Sequence, residues 1–199
     1  MPSAEQIQIY VAAAWHLILG RRGAIKQFDL SADGFWNSFY AMIVVLPMML
    51  VTWVTIANGF GDMAGEFGGR LSIVLRLAFI DLLAWVAPIV VLAFSARALG
   101  IADRFVPYVV ASNWGSVITS AIMLPVSLIE LVFPGSVEAL DALSLVVFIV
   151  AMVVNWRLAN ASIDRGTGVA AGAFGVVVVV SIAVVIGMQS VMGLVAQPG

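Results

Sequence analysis

The sequence predicts an all-α polytopic membrane protein, a bundle of five transmembrane helices behind an N-terminal interfacial amphipathic helix. Three observations predict it. Of the 199 residues, 63% are hydrophobic and only 10% charged, with a mean hydropathy of +1.12, whereas a soluble domain carries about 25% charged residues to cover its surface. The apolar residues gather in five runs, each near the roughly 17–25 residues that a helix needs to cross a bilayer. Seven of the nine lysines and arginines fall before the first run or on alternate links between runs, as the positive-inside rule requires.

Residues 1–33 form a cytoplasmic or interfacial N-terminal segment, and 34–199 the transmembrane domain. The stretch 9–20 is apolar, yet no basic residues precede it, and Arg21 and Arg22 stand where a small-residue cleavage site would be. It therefore reads as a retained helix and not as a signal peptide. Ile7, Tyr10, Val11, Ala14, Trp15 and Ile18 share one face of a helical wheel, with Glu5, Gln8 and His16 opposite. Such a helix lies in the membrane interface, which makes His16 a headgroup-level residue and not a catalytic one.

The stretch FDLSADGFWNSFYAM leads into the first span. Ser31 suits an N-cap, Asp33 the positive end of the helix, and Phe35, Trp36 and Tyr40 the headgroup layer. The spans are predicted at about 35–56 (containing Pro47), 71–95 (Trp85 and Pro88), 105–132, 139–156 and 169–194. The glycine-rich link ANGFGDMAGEFGG lacks the lysine and the strand-to-helix turn of a phosphate cradle, so it reads as a loop. Arg21, Arg22, Lys26, Arg97, Arg104, Arg157 and Arg165 share one side. This predicts a multi-pass inner-membrane protein with a cytoplasmic N-terminus and the C-terminus outside.

The absence of cysteine excludes disulfides, thiolate catalysis and cysteine-ligated metals, and the lone His16 excludes any site needing two imidazoles. The run NWGS places Ser116 beside a glycine, but no histidine lies within a span to activate a serine. Asp62 with Glu66, and Glu138 with Asp141, are isolated carboxylate pairs at span ends. We therefore expect no enzyme, no cofactor, no metal site and no nucleic-acid partner.

The second span organises the rest because it carries Arg76 and Asp81. Asp81 lies about 15 Å from Leu71 along the helix, near the midplane. An unsatisfied carboxylate there costs at least about 2.5 kcal/mol. Five residues of helix separate the two side chains by about 140° around the axis, so Arg76 should reach toward the nearer interface while Asp81 needs a neighbouring helix. In the third span Asn113, Ser116, Ser120 and Ser127 fall on one continuous side. Asp81 and Thr119 or Ser120 come out at similar depth, about 21 Å in, with Asn113 near Pro88. Either of two readings follows: interhelical hydrogen bonds, each worth about 0.6 kcal/mol, or a proton- or ion-linked path. In the fifth span Gly168, Gly172 and Gly175 offer small-residue spacing for a close helix–helix contact.

The layout of an N-terminal cytoplasmic segment and five closely spaced spans resembles the Yip1 family of small membrane proteins, and FDLSADGFWNSFYAMIVVLP resembles the corresponding stretch of its bacterial members. The resemblance implies a non-enzymatic five-helix bundle working through partners or lipids. The eukaryotic relatives are trafficking adaptors that bind prenylated small GTPases, and no GTPase-binding segment is visible in this chain. The function expected is thus a scaffold or binding partner for membrane lipid, for a second copy or for another membrane protein. A small transporter or channel using Asp81 and the third span is the alternative.

Overall fold

The computed structural model describes residues 1–60, 67–133 and 137–194, and among these the chain is helical with no strand. The elements are α1 (Ala4–Ile18), a 3-10 turn (Arg22–Gln27), α2 (Ala32–Ser38), α3 (Ala41–Asn58), α4 (Phe67–Ser95), α5 (Phe105–Val132), α6 (Val137–Ile163) and α7 (Thr167–Val191). Five stretches are long and apolar enough to span a membrane, the first comprising α2 and α3 together. Asp62, Glu66 and the side chain of Glu138 lie outside the described residues.

The start of α1 is a reciprocal cap: the Gln6 N–H donates to Ser3 Oγ at 3.2 Å and the Ser3 N–H to Gln6 Oε1 at 2.8 Å. Its apolar face serves the protein itself. Ala13, Ala14, Leu17 and Ile18 are buried against α5 and α6, and Tyr10 lies against Trp114 and Phe28 with ring centroids 5.3 and 5.8 Å apart. Burying side chains such as Leu17 and Ile18 contributes about 1.5–3 kcal/mol each. The expected face is rotated: Trp15 points outward, while Ala13 and Leu17 join the contact. The helix thus docks on the bundle through the surface that the sequence assigned to lipid.

The stretch into the first span folds for identifiable reasons. Ser31 Oγ accepts from the Gly34 N–H at 3.1 Å, and Asp29 Oδ1 accepts from the Ser31 N–H at 3.0 Å. A Cβ on Gly34 would stand 2.2 Å from the Asp29 carbonyl oxygen, so only glycine closes this turn. The Ser31 side chain and backbone hold the Asp29 carboxyl below its ordinary range. At Phe39 and Tyr40 the helix tightens, with bonds from Phe39 N to Trp36 O and Tyr40 N to Asn37 O. The expected single helix over 35–56 is therefore two pieces in one span.

Two boundaries differ most from expectation. Helix α4 begins four residues earlier, at Phe67. Helix α6 runs on past Trp156 through Ile163, because Leu158, Ala159 and Ile163 continue a buried stripe; the charged residues there mark the end of the apolar run, not of the helix. It stops at Asp164, whose φ of 48° leaves the helical region.

The five spans close a ring in the order α3, α5, α6, α7, α4. Consecutive helices α4 and α5 therefore meet only sparingly, across its middle. Helix α5 is the hub, packed on α1, α2, α3 and α6. Gly115 makes this possible: a Cβ there would come within 2.9 Å of Leu158 Cδ1 on α6. At one end of the ring Arg22 pairs with Asp164 at 2.5 Å, Arg165 with Asp103, and Arg157 Nε donates to Ile18 O at 2.5 Å. The N-terminal segment and the α4–α5 and α6–α7 links thus share one basic face. Arg165 holds the Asp103 carboxyl below the usual carboxylate range.

Candidate functional site

The middle of the ring contains a cleft of about 130 Å³ between α4, α5 and α7, and Trp85, Pro88, Tyr108, Asn113 and Ser181 are among its walls. Each polar wall has a local cause. Pro88 has no N–H, so the Ala84 carbonyl loses its helical donor; Ser181 Oγ of α7 donates to it instead at 3.3 Å. Tyr108 and Ser112 stand one turn apart on α5 and both line the cleft.

Asn113, with no exposure at all, is the centre of a closed chain of hydrogen bonds. Trp85 Nε1 donates to its Oδ1 at 2.9 Å, and its Nδ2 donates to Ser38 Oγ at 2.8 Å. Ser38 Oγ in turn donates to Phe35 O at 2.7 Å. One amide thereby ties α4, α5 and α2, and the glycine turn at Gly34 fixes the position of Ser38. The members are an indole, an amide and a hydroxyl, none of which titrates near neutral pH. The chain ties α2, α4 and α5 together.

Asp81 lies elsewhere. Its Oδ2 accepts from Trp53 Nε1 of α3 at 2.6 Å, and it is not among the walls of the central cleft. The expected contact with Thr119 or Ser120 is not made, because α3 and not α5 is the neighbour of α4 at that depth. Arg76 makes no ion pair with Asp81; its Nη1 donates to Met192 O at 2.9 Å, just past the end of α7.

The expected seam on α5 divides among partners. Asn113 does lie beside Pro88 at the cleft. Ser116 turns back to Asn113 O at 2.7 Å, while Ser120 is half-buried and makes no side-chain hydrogen bond among the described residues. Ser127 serves α3: its Oγ is 3.0 Å from Thr52 Oγ1, and its carbonyl accepts from Thr55 Oγ1 at 3.1 Å. On the other flank Asn155 Nδ2 of α6 donates to Thr119 Oγ1 at 3.2 Å.

The glycine expectation is corrected too. A Cβ on Gly168 or Gly175 would meet nothing within 4 Å, and on Gly172 only the tip of Leu99 at 3.8 Å. The close approach is at Gly115. Sequence reasoning missed Trp53, Trp85, Ser38 and Asn155. A signal existed for Trp85, which stands well inside its span, away from the headgroup belt, where a buried indole N–H needs an acceptor. Trp53, three residues from the expected end of the first span, reads as a headgroup-level residue.

Among the described residues no three histidine, aspartate or glutamate side chains gather where they could hold a metal ion. Comparison of the chain with protein-family models, with curated proteins and with solved structures finds no match.

Proposed function

We propose that this multi-pass membrane protein is a non-enzymatic bundle that acts by binding, as a scaffold for other membrane proteins, for a second copy or for lipid. One observation carries the reading: Asn113, a fully buried polar side chain of the ring, has both ends of its amide bonded to other helices. Structural bonds thus run along the wall of the central cleft, and the reading assigns recognition to the outer surface. Asp81 is bonded to Trp53 and away from the central cleft, which weighs against a path through it. The five-span layout resembling the Yip1 family fits the same reading, with the basic face toward the cytoplasm and the chain in an inner membrane.

Native mass spectrometry of the full chain released from nanodiscs tests it. A dimer, a co-purifying membrane protein or specifically retained lipid is the expected result. A strictly monomeric protein with no protein or lipid adduct refutes it.

A further inference from the structure

At the basic face a cleft of about 340 Å³ opens between the end of α1 and the last turns of α6, with Arg22, Arg157, Asn160 and Trp156 on its walls and Leu17 and Ile18 at its apolar side. Its depth follows from the sequence of α6, which carries no charged residue from Ala142 to Trp156; Arg157, the first one after that run, places the cleft at the headgroup boundary.

The cleft carries complementary chemistry that the chain leaves incomplete. Arg157 gives its Nε to Ile18 O and Arg22 gives Nη1 to Asp164, so each guanidinium has nitrogens left over. Two cations face one carboxylate, a net positive charge. Beside them Asn160 Oδ1 is buried with no hydrogen-bond partner, an arrangement that native proteins rarely leave unfilled. A ligand matching both needs an anionic oxygen cluster for the arginines and an N–H or O–H for the asparagine. Planar guanidinium groups suit phosphate.

We propose that this cleft holds the headgroup of an anionic glycerophospholipid, its phosphate on Arg157 and Arg22 and a headgroup hydroxyl on Asn160 Oδ1. The apolar side at Leu17 and Ile18 lies where the glycerol and first acyl carbons would run. The inference rests on the binding reading above and names one ligand of it.

The test uses the full chain in nanodiscs of phosphatidylcholine doped with either phosphatidylglycerol or phosphatidylmethanol, read by native mass spectrometry. Phosphatidylmethanol keeps the charged phosphodiester and lacks the hydroxyls. Phosphatidylglycerol should be retained over phosphatidylcholine by roughly tenfold, the worth of one charge-assisted hydrogen bond. Arg157→Gln should bring that preference close to parity. Because Arg157 also holds Ile18 O, Asn160→Leu is the second variant: it should keep the preference for anionic lipid and lose the distinction between phosphatidylglycerol and phosphatidylmethanol. Equal retention of phosphatidylcholine by the unaltered chain, or an undiminished preference in Arg157→Gln, overturns the proposal. Displacement of the lipid by millimolar inorganic phosphate also overturns it, in favour of a soluble phosphate ligand. In each of these cases a retained dimer or protein partner leaves the binding reading standing.

Discussion

Two tryptophans in this bundle do the same thing with opposite completeness. Trp53 and Trp85 each donate an indole N–H across a helix pair, Trp53 to Asp81 at 2.6 Å and Trp85 to Asn113 at 2.9 Å. Around Asn113 both ends of the amide have a partner, Oδ1 accepting from Trp85 and Nδ2 donating to Ser38, and the residue has no exposure. Asp81 is less fully bonded. A carboxylate can accept about four hydrogen bonds, the side chain is only half-buried, and among the described residues one indole N–H bonds to it. The difference teaches that the ring is locked at the Asn113 level and merely latched at the Asp81 level. Burial of a polar group is inexpensive only where its partners are complete.

Breaking the completed bond should produce the largest effect. Asn113→Leu keeps the branching of the side chain but strands the Trp85 Nε1 donor and takes from Ser38 Oγ the N–H that it accepts, at a cost of about 2–3 kcal/mol. Thermal unfolding in detergent should show this as the deepest fall in melting temperature of any single change considered. A variant as stable as the parent would mean that Trp85 Nε1 finds another acceptor and that the chain through Asn113 is not what holds α2, α4 and α5. Asp81→Leu comes second. It strands one indole in a half-buried place, where transmembrane hydrogen bonds average about 0.6 and reach about 1.7 kcal/mol. If it proved costlier than Asn113→Leu, the comparison would be inverted.

Much of the architecture was legible because bilayer thickness imposes it. Five apolar runs became five spans, the Ser31 cap formed as read, and the basic residues did gather at one end. Length and charge are properties of each segment alone, and a sequence displays them directly. The arrangement around the ring was not legible. Placing α4 beside α5 assumed that consecutive helices are neighbours, yet α5 packs on α3 and α6, so Asp81 meets Trp53 and the seam serves three partners. Within lipid every helix face is apolar, and hydrophobicity does not say which face meets which helix. The small-residue argument failed for the same reason: spacing alone chose Gly168, Gly172 and Gly175, whereas the surface opposite Gly115 comes from Leu158, 43 residues away by numbering. Likewise, the end of α6 was misplaced because Arg157 was read as the start of a link; its stem continues the helix and its head reaches Ile18 O.

The smallest effect belongs to Asp81→Asn, and it sharpens the comparison most. The amide keeps an oxygen for Trp53 Nε1 and nearly the same shape, and its new N–H groups sit at a half-buried position, not in a sealed core. No cation is left behind, because the Arg76 guanidinium lies on Met192 O and not on the carboxylate. The stability change should stay within about 0.5 kcal/mol. Arg76→Gln acts on a different bond: it removes a cation from the carbonyl end of α7, where the helix dipole makes one worth about 0.3–1 kcal/mol. With no shared partner the two changes should add to within about 0.3–0.5 kcal/mol in the double variant. Melting temperatures of the two single variants and the double variant, measured side by side, decide the matter. A large loss in Asp81→Asn that Arg76→Gln restores would reveal a buried ion pair, since removing one member of such a pair costs about 3–5 kcal/mol. That outcome would move Arg76 from the end of α7 to the side of Asp81 and would turn the loosely latched level of the ring into its most tightly held one.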